Sequence, residues 1–250
     1  MMNRFGLLLV VLPAFGLFAA CSSSTSSGTP APGADVPETS TEDATTGGTQ
    51  CTKARDDLLL PIDKTSTGEV SVVSDSNGTK TLYVDASAGG VGGAALKNPR
   101  IYIDLAAGTK VSVTDKSAPA SAAWDLAMKR DVIFTNSGDS GIGQGGAIQL
   151  DKAFASVSNA DANAAALEKE RFFDGECNPQ LDPTGAPSTT FSDWYAYDAT
   201  THIPAPKEVT YVVRGGSGKK YKVGVVSYSG APDGGTSSKT GAYVLKVTAL

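Results

Sequence analysis

The stretch EVSVVSDSNGTKTLYVD, residues 69–85, decides the fold. Glu69 to Val73 and Thr79 to Asp85 each alternate in the manner of a strand, and Asn77-Gly78 stands between them. Both turn residues tolerate positive φ, so the pattern predicts an antiparallel hairpin. The same grammar extends outward. Arg100 to Leu105 alternates apolar and polar residues, Ala107-Gly108 turns the chain, and Lys110 to Thr114 returns it. Ala122 to Met128 reads as a strand that places Trp124, Leu126 and Met128 on one face by the two-residue period. Val132 to Thr135 is a short β-branched and aromatic run, Asn136 to Gly146 is a glycine-rich loop, and Ala147 to Leu150 again looks like strand. Glu208 to Arg214, Lys219 to Tyr228 and Gly241 to Val247 form a C-terminal meander, with Gly215-Gly216-Ser217-Gly218 as its first turn. Helix is expected over Ala162–Phe173, with Asp161 as its N-cap, and as a single turn over Ala153–Val157. Asp174 to Ser192 reads as an extended loop and Trp194 to Tyr197 as an edge strand. The expected class is mostly β: an antiparallel sheet domain over residues 51–250 with one or two short helices.

The front of the chain has a different character. Met1 to Arg4 is a short basic start, Phe5 to Ala20 is almost wholly apolar, and Phe18-Ala19-Ala20-Cys21 reads as a lipoprotein signal cleavage site. Removal of residues 1–20 and lipidation of Cys21 would hold the protein on a membrane, because each buried CH₂ contributes about 0.8 kcal/mol. Residues 21–50 are rich in Ser, Thr, Gly and Pro and carry no aromatic residue, the composition of a disordered tether. The formal charge of the whole chain is −5. Loss of Arg4 with the signal makes it −6, and the linker holds four acids and no base, so residues 51–250 carry only −2. That near-neutral domain has no bulk electrostatic drive toward nucleic acid. In an exported, oxidising setting Cys51 and Cys177 are read as a disulfide pair.

Several motifs carry candidate chemistry. Gly141-Ile142-Gly143-Gln144-Gly145-Gly146 has the spacing of a dinucleotide fingerprint, but a strand rather than a helix follows it, so the glycines are read as loop geometry or as the lining of a ligand pocket. Asp174, Glu176, Asp182 and Asp193 share one loop region without a spacing that fixes a catalytic pair. Trp194, Tyr195 and Tyr197 either line an apolar pocket or pack a sheet. His202 is the single histidine, and Met128 is the only methionine beyond the signal segment. No Gly-x-Ser-x-Gly elbow accompanies His202, and no enzyme activity is expected.

Two blocks together resemble a known family. The first is Trp124-Asp125-Leu126-Ala127-Met128-Lys129-Arg130, followed by Thr135-Asn136-Ser137-Gly138, Ser140-Gly141, Gly143 and Gly145-Gly146-Ala147. The second is Tyr211-Val212-Val213-Arg214, Gly218-Lys219-Lys220-Tyr221-Lys222-Val223 and Ser227-Tyr228, with Tyr102-Ile103-Asp104-Leu105 and Gly108 upstream. In this order, behind a lipoprotein signal, they resemble the HmuY family of bacterial haem-binding lipoproteins over residues 100 to 248. The resemblance implies a mostly β fold with a haem groove, capture of haem or a similar planar ligand, and delivery to an outer-membrane uptake receptor from the outer membrane or cell surface. Family members hold haem iron between two histidines, and some relatives use methionine. With one histidine this chain departs from that pattern, and Met128 and Lys129 stand where relatives carry an aromatic–His pair. Met128 and His202 are the one Met/His pair available as axial ligands. The rival expectation is a structural or adhesive surface module without a haem site.

Overall fold

The computed structural model describes residues 51–200 and 202–250. The signal segment, Cys21 and the linker to residue 50 lie outside the described residues.

The described chain opens with a helix, α1 (Thr52–Leu59), and then enters the predicted hairpin of β1 (Val70–Ser76) and β2 (Thr79–Asp85). Val70 faces Val84 at one end and Ser76 faces Thr79 at the other, with Asn77 at φ 53° and Gly78 at φ 75° making the turn. A short helix, α2 (Gly93–Leu96), leads to β3 (Ile101–Asp104) and β4 (Thr109–Lys110). Next come β5 (Leu126–Lys129), β6 (Val132–Thr135), β7 (Gly146–Leu150) and the helix α3 (Asn159–Ala164). The chain ends with β8 (Tyr195–Asp198), β9 (Ile203–Pro206), β10 (Thr210–Arg214), β11 (Lys220–Ser227) and β12 (Ala242–Ala249). A six-stranded sheet runs β1-β2-β12-β11-β10-β7, a four-stranded sheet runs β4-β3-β5-β6, and β8-β9 is a separate ribbon. Every pairing between these strands is antiparallel.

The two larger sheets enclose one core, and the two-residue strand period builds it. Leu82 and Val84, Tyr211 and Val213, Val223, Leu245 and Val247 come from the six-stranded sheet. Ile101 and Ile103, Leu126 and Met128, and Ile133 come from the four-stranded sheet. The intervening residues Tyr102, Ala127 and Phe134 face the opposite way, into a second cluster with Trp124, Phe172 and Phe173 that is roofed by α1. On the far face of the large sheet, Val212 packs with Val157 and with Ala162 of α3.

Two expectations are corrected, and one element stands outside them. Trp124 does not share a face with Leu126 and Met128: the strand begins at Leu126, and Trp124 lies in the second cluster, 5.1 Å from the Tyr102 ring, with its Nε1 donating to the Ala118 carbonyl. The helix expected over Ala162–Phe173 is α3, which ends at Ala164 and is capped by Ser158, with Asp161 closing the capping box from the N3 position. Propensity loses there because Glu168 pairs with Ala147 beside β7 and the buried Glu170 carboxylate accepts from the backbone N–H and hydroxyl of both Thr135 and Thr190. The third difference is α1 itself, which nothing in the sequence reading anticipated. It has no buried residue and no side-chain cap, and it starts at a cysteine.

Candidate functional site

Met128 is 0% exposed, set between Ile101 on β3 and Ile133 on β6 in the sheet core. His202 stands on the exposed turn between β8 and β9 with φ 57°, its Nδ1 2.8 Å from the Tyr197 hydroxyl. The structure therefore sets the two candidate iron ligands in opposite environments and does not bring them together at one cavity. A thioether enclosed on every side has no face to offer a haem, so as folded the pair does not fit axial ligation.

The glycine-rich loop has a definite job. Asn136 is fully buried; its Nδ2 donates to the Ser121 and Trp124 carbonyls, and its Oδ1 accepts from the Gly143 N–H. A Cβ on Gly141, Gly143 or Gly145 would stand 2.4, 2.5 or 2.4 Å from Asn136 atoms. The loop is glycine-rich because it wraps the protein's own asparagine, which fills the space a ligand would need. Three of the four loop acids are likewise occupied locally. Asp174 accepts from the Asn178 side chain and from the backbone N–H of Glu176 and Asn178, and these bonds hold its pKa low. Asp182 accepts from Thr184 and Ala186, and Asp193 is ion-paired with Lys207. Trp194 is a core residue, 1% exposed, packed on Tyr228 and Tyr243.

Cys51 and Cys177 are joined, with Cα atoms 5.4 Å apart. The bond fixes the start of α1 to the loop that carries Phe172 and Phe173.

The open spaces lie elsewhere. One cleft of about 280 Å³ is rimmed by Lys80, Lys219 and Lys220 over Leu105 and Val247. The other, about 240 Å³, lies between α1 and the outer face of the four-stranded sheet, where Arg55, Arg100 and Lys116 surround Tyr102 and Phe134. Both are slightly smaller than the roughly 300–1,000 Å³ usual for drug-sized ligands. Arg100 is the centre of the second cleft. Its Nη1 donates to the Leu59 carbonyl at 2.9 Å and lies 3.5 Å from the Asp115 carboxylate. Asp115 also accepts from Ile62 N, Arg100 N and the Tyr102 hydroxyl. Burial, followed by the charge of that carboxylate, drives the Tyr102 pKa far above the phenol range. Burial first, and then the Arg100 charge, push the nearby Lys129 ammonium down to about 8. The sequence reading singled out neither Arg100, Arg55 nor Lys116; Arg100 opens an alternating strand, and only its burial distinguishes it from a surface cation.

A family model described as HmuY protein matches residues 97–243. No curated protein matches the chain. Among solved structures, the chain is similar to one from Bacteroides vulgatus described as HmuY-like and heme binding, at 17% identity and a TM-score of 0.45, covering 72% of this chain and 96% of that one. It is also similar to the apo HmuY analogue of Tannerella forsythia, at 14% identity and TM-score 0.43 over 70% of this chain and 99% of that one. A Bacteroides fragilis protein assigned as a lipoprotein gives 19% identity and TM-score 0.44, over 72% and 95%.

Proposed function

The chain belongs to the HmuY family, and from that membership we propose that it captures haem or a related planar ligand for uptake, without transforming it chemically. In this reading residues 1–20 are removed, lipid on Cys21 anchors the protein at the outer membrane or cell surface, residues 21–50 serve as the tether, and an outer-membrane receptor takes the ligand onward. The single observation that carries the proposal is the family match, which runs from Lys97 to Tyr243 and takes in the four-stranded sheet together with β7, β10 and β11 of the six-stranded one.

Titration of the protein with haem tests it: a new Soret band and a ligand-dependent rise in melting temperature are expected, and absence of both rejects the reading. The same titration tests the ligand pair. His202 is the exposed donor, so His202→Ala is expected to alter the band. Met128→Ala alters it only if the core around β5 opens to haem. One observation favours the second reading, a structural or adhesive surface module: the closed packing around Met128. That reading predicts no haem spectrum and a protein or glycan partner instead.

A further inference from the structure

We infer that the cleft between α1 and the four-stranded sheet is a carboxylate-binding site built on Arg100, suited to a small ligand with a flat apolar body. The inference is independent of the haem proposal. The Arg100 side chain is 8% exposed, and its guanidinium is only partly used. The Leu59 carbonyl takes Nη1, whereas Nε is buried and has no partner among the described residues. An unpaired buried N–H is costly, and a guanidinium edge matches a carboxylate in shape as well as charge.

The charge around the cleft points the same way. Arg55, Arg100 and Lys116 face two acids, Asp56 and Asp115. Besides the Arg100 guanidinium, Asp115 accepts from the N–H groups of Ile62 and Arg100 and from the Tyr102 hydroxyl, and Asp56 lies 3.9 Å from Arg55. Lys116 is exposed and has no partner among the described residues. The apolar lining is Leu59, Pro61 and Pro119, flat surfaces against which a planar body packs, with the almost wholly buried Tyr102 and Phe134 beneath them and Arg100 lying 5.6 Å over the Phe134 ring. Such a carboxylate comes either from a free small acid or from the acidic edge of a larger planar ligand.

The test uses the whole protein, with benzoate as probe and benzamide as its neutral isostere, read by calorimetry and by melting temperature. Benzoate is expected to bind and stabilise, and benzamide to do neither. Arg100→Lys should weaken benzoate by about 10-fold or more, the loss of a charge-assisted hydrogen bond. Lys116→Glu, an exposed change that leaves the core untouched, should weaken it roughly 2- to 5-fold. Displacement of metal-free protoporphyrin by benzoate assigns the carboxylate to a porphyrin edge, and simultaneous binding assigns it to a separate small acid; the site stands in both cases. Equal binding of benzamide and benzoate, or unchanged benzoate affinity in Lys116→Glu, would overturn the inference. The haem titration is a separate measurement and stands or falls without it.

Discussion

Removing the Cys51–Cys177 bond is the most telling perturbation of the fold. The two cysteines are 126 residues apart in sequence. In the chain-entropy treatment, a loop of that length restricts the unfolded chain by about 5 kcal/mol at 25 °C, a ceiling because real unfolded chains keep some structure. The local structure argues that much of this is felt. The helix α1 buries no residue and has no side-chain cap. Ala54, Leu58 and Leu59 are only partly packed on the domain, and Arg100 donates to the Leu59 carbonyl. The double variant Cys51→Ser/Cys177→Ser should therefore lose about 3–5 kcal/mol in urea unfolding, with a steeper slope because the unfolded chain is no longer cross-linked. At about 2–4 °C per kcal/mol for a domain of this size, the melting temperature falls by roughly 10 °C. Amide exchange should show the loss in two parts, with β10–β12 losing protection only by the global amount and Thr52–Leu59 losing it by local opening as well. A loss below about 1 kcal/mol with α1 still protected would refute the reasoning, because the helix would then be docked by packing alone.

Two further outcomes follow from buried polar groups. Asn136→Ala strands the Gly143 N–H and the Ser121 and Trp124 carbonyls, and should cost about 2–4 kcal/mol in the same assay; a loss under about 1 kcal/mol would show that the glycine loop holds itself. Asp125 accepts from the N–H groups of Leu105 and Gly216, yet burial outweighs these bonds and raises its pKa in the folded protein. The folded carboxyl thus holds its proton more tightly than the unfolded one, so its contribution is full below the unfolded value of about 4 and declines as the pH rises through the folded value. The stability gap between wild type and Asp125→Asn should be wider near pH 4 than near pH 7, and a gap that widens with rising pH contradicts the burial argument.

How legible each part of the fold was depended on how local its cause is. The hairpin at Asn77-Gly78 and the meander of β10–β12 follow from turn chemistry and alternation, both carried within a few residues, and both stand where they were expected. The run Ala164-Ala165-Ala166-Leu167-Glu168-Lys169-Glu170 has strong helical preference, but its conformation is set by partners far away in sequence: Ala147, Thr135 and Thr190. The face of Trp124 was misassigned for the same reason. The alternation extends backward from Leu126 on paper, whereas the carbonyls and ring partners that seat the indole belong to Ala118, Tyr102 and Phe134.

The site was less legible than the fold, and the blocks that mark the family show why. In Trp124–Arg130, the indole of Trp124 is bonded inward, the Asp125 carboxylate ties down Leu105 and Gly216, Leu126 and Met128 fill the core, and Arg130 donates to Thr240. In Asn136–Gly146, Gly141, Gly143 and Gly145 close on Asn136, and Gly138 and Gly146 close on the backbone of Glu170 and Glu168. These residues are recognisable because the scaffold cannot be built without them, so a match to them reports the scaffold. Residues that face open space carry no such constraint. Arg55 lies before the matched region altogether, and Lys116 sits in a loop between the blocks. Two chains can therefore share every residue of the signature and differ in every group that touches a ligand. The single histidine of this chain, placed on a ribbon turn away from the core methionine, is the expected mark of that freedom.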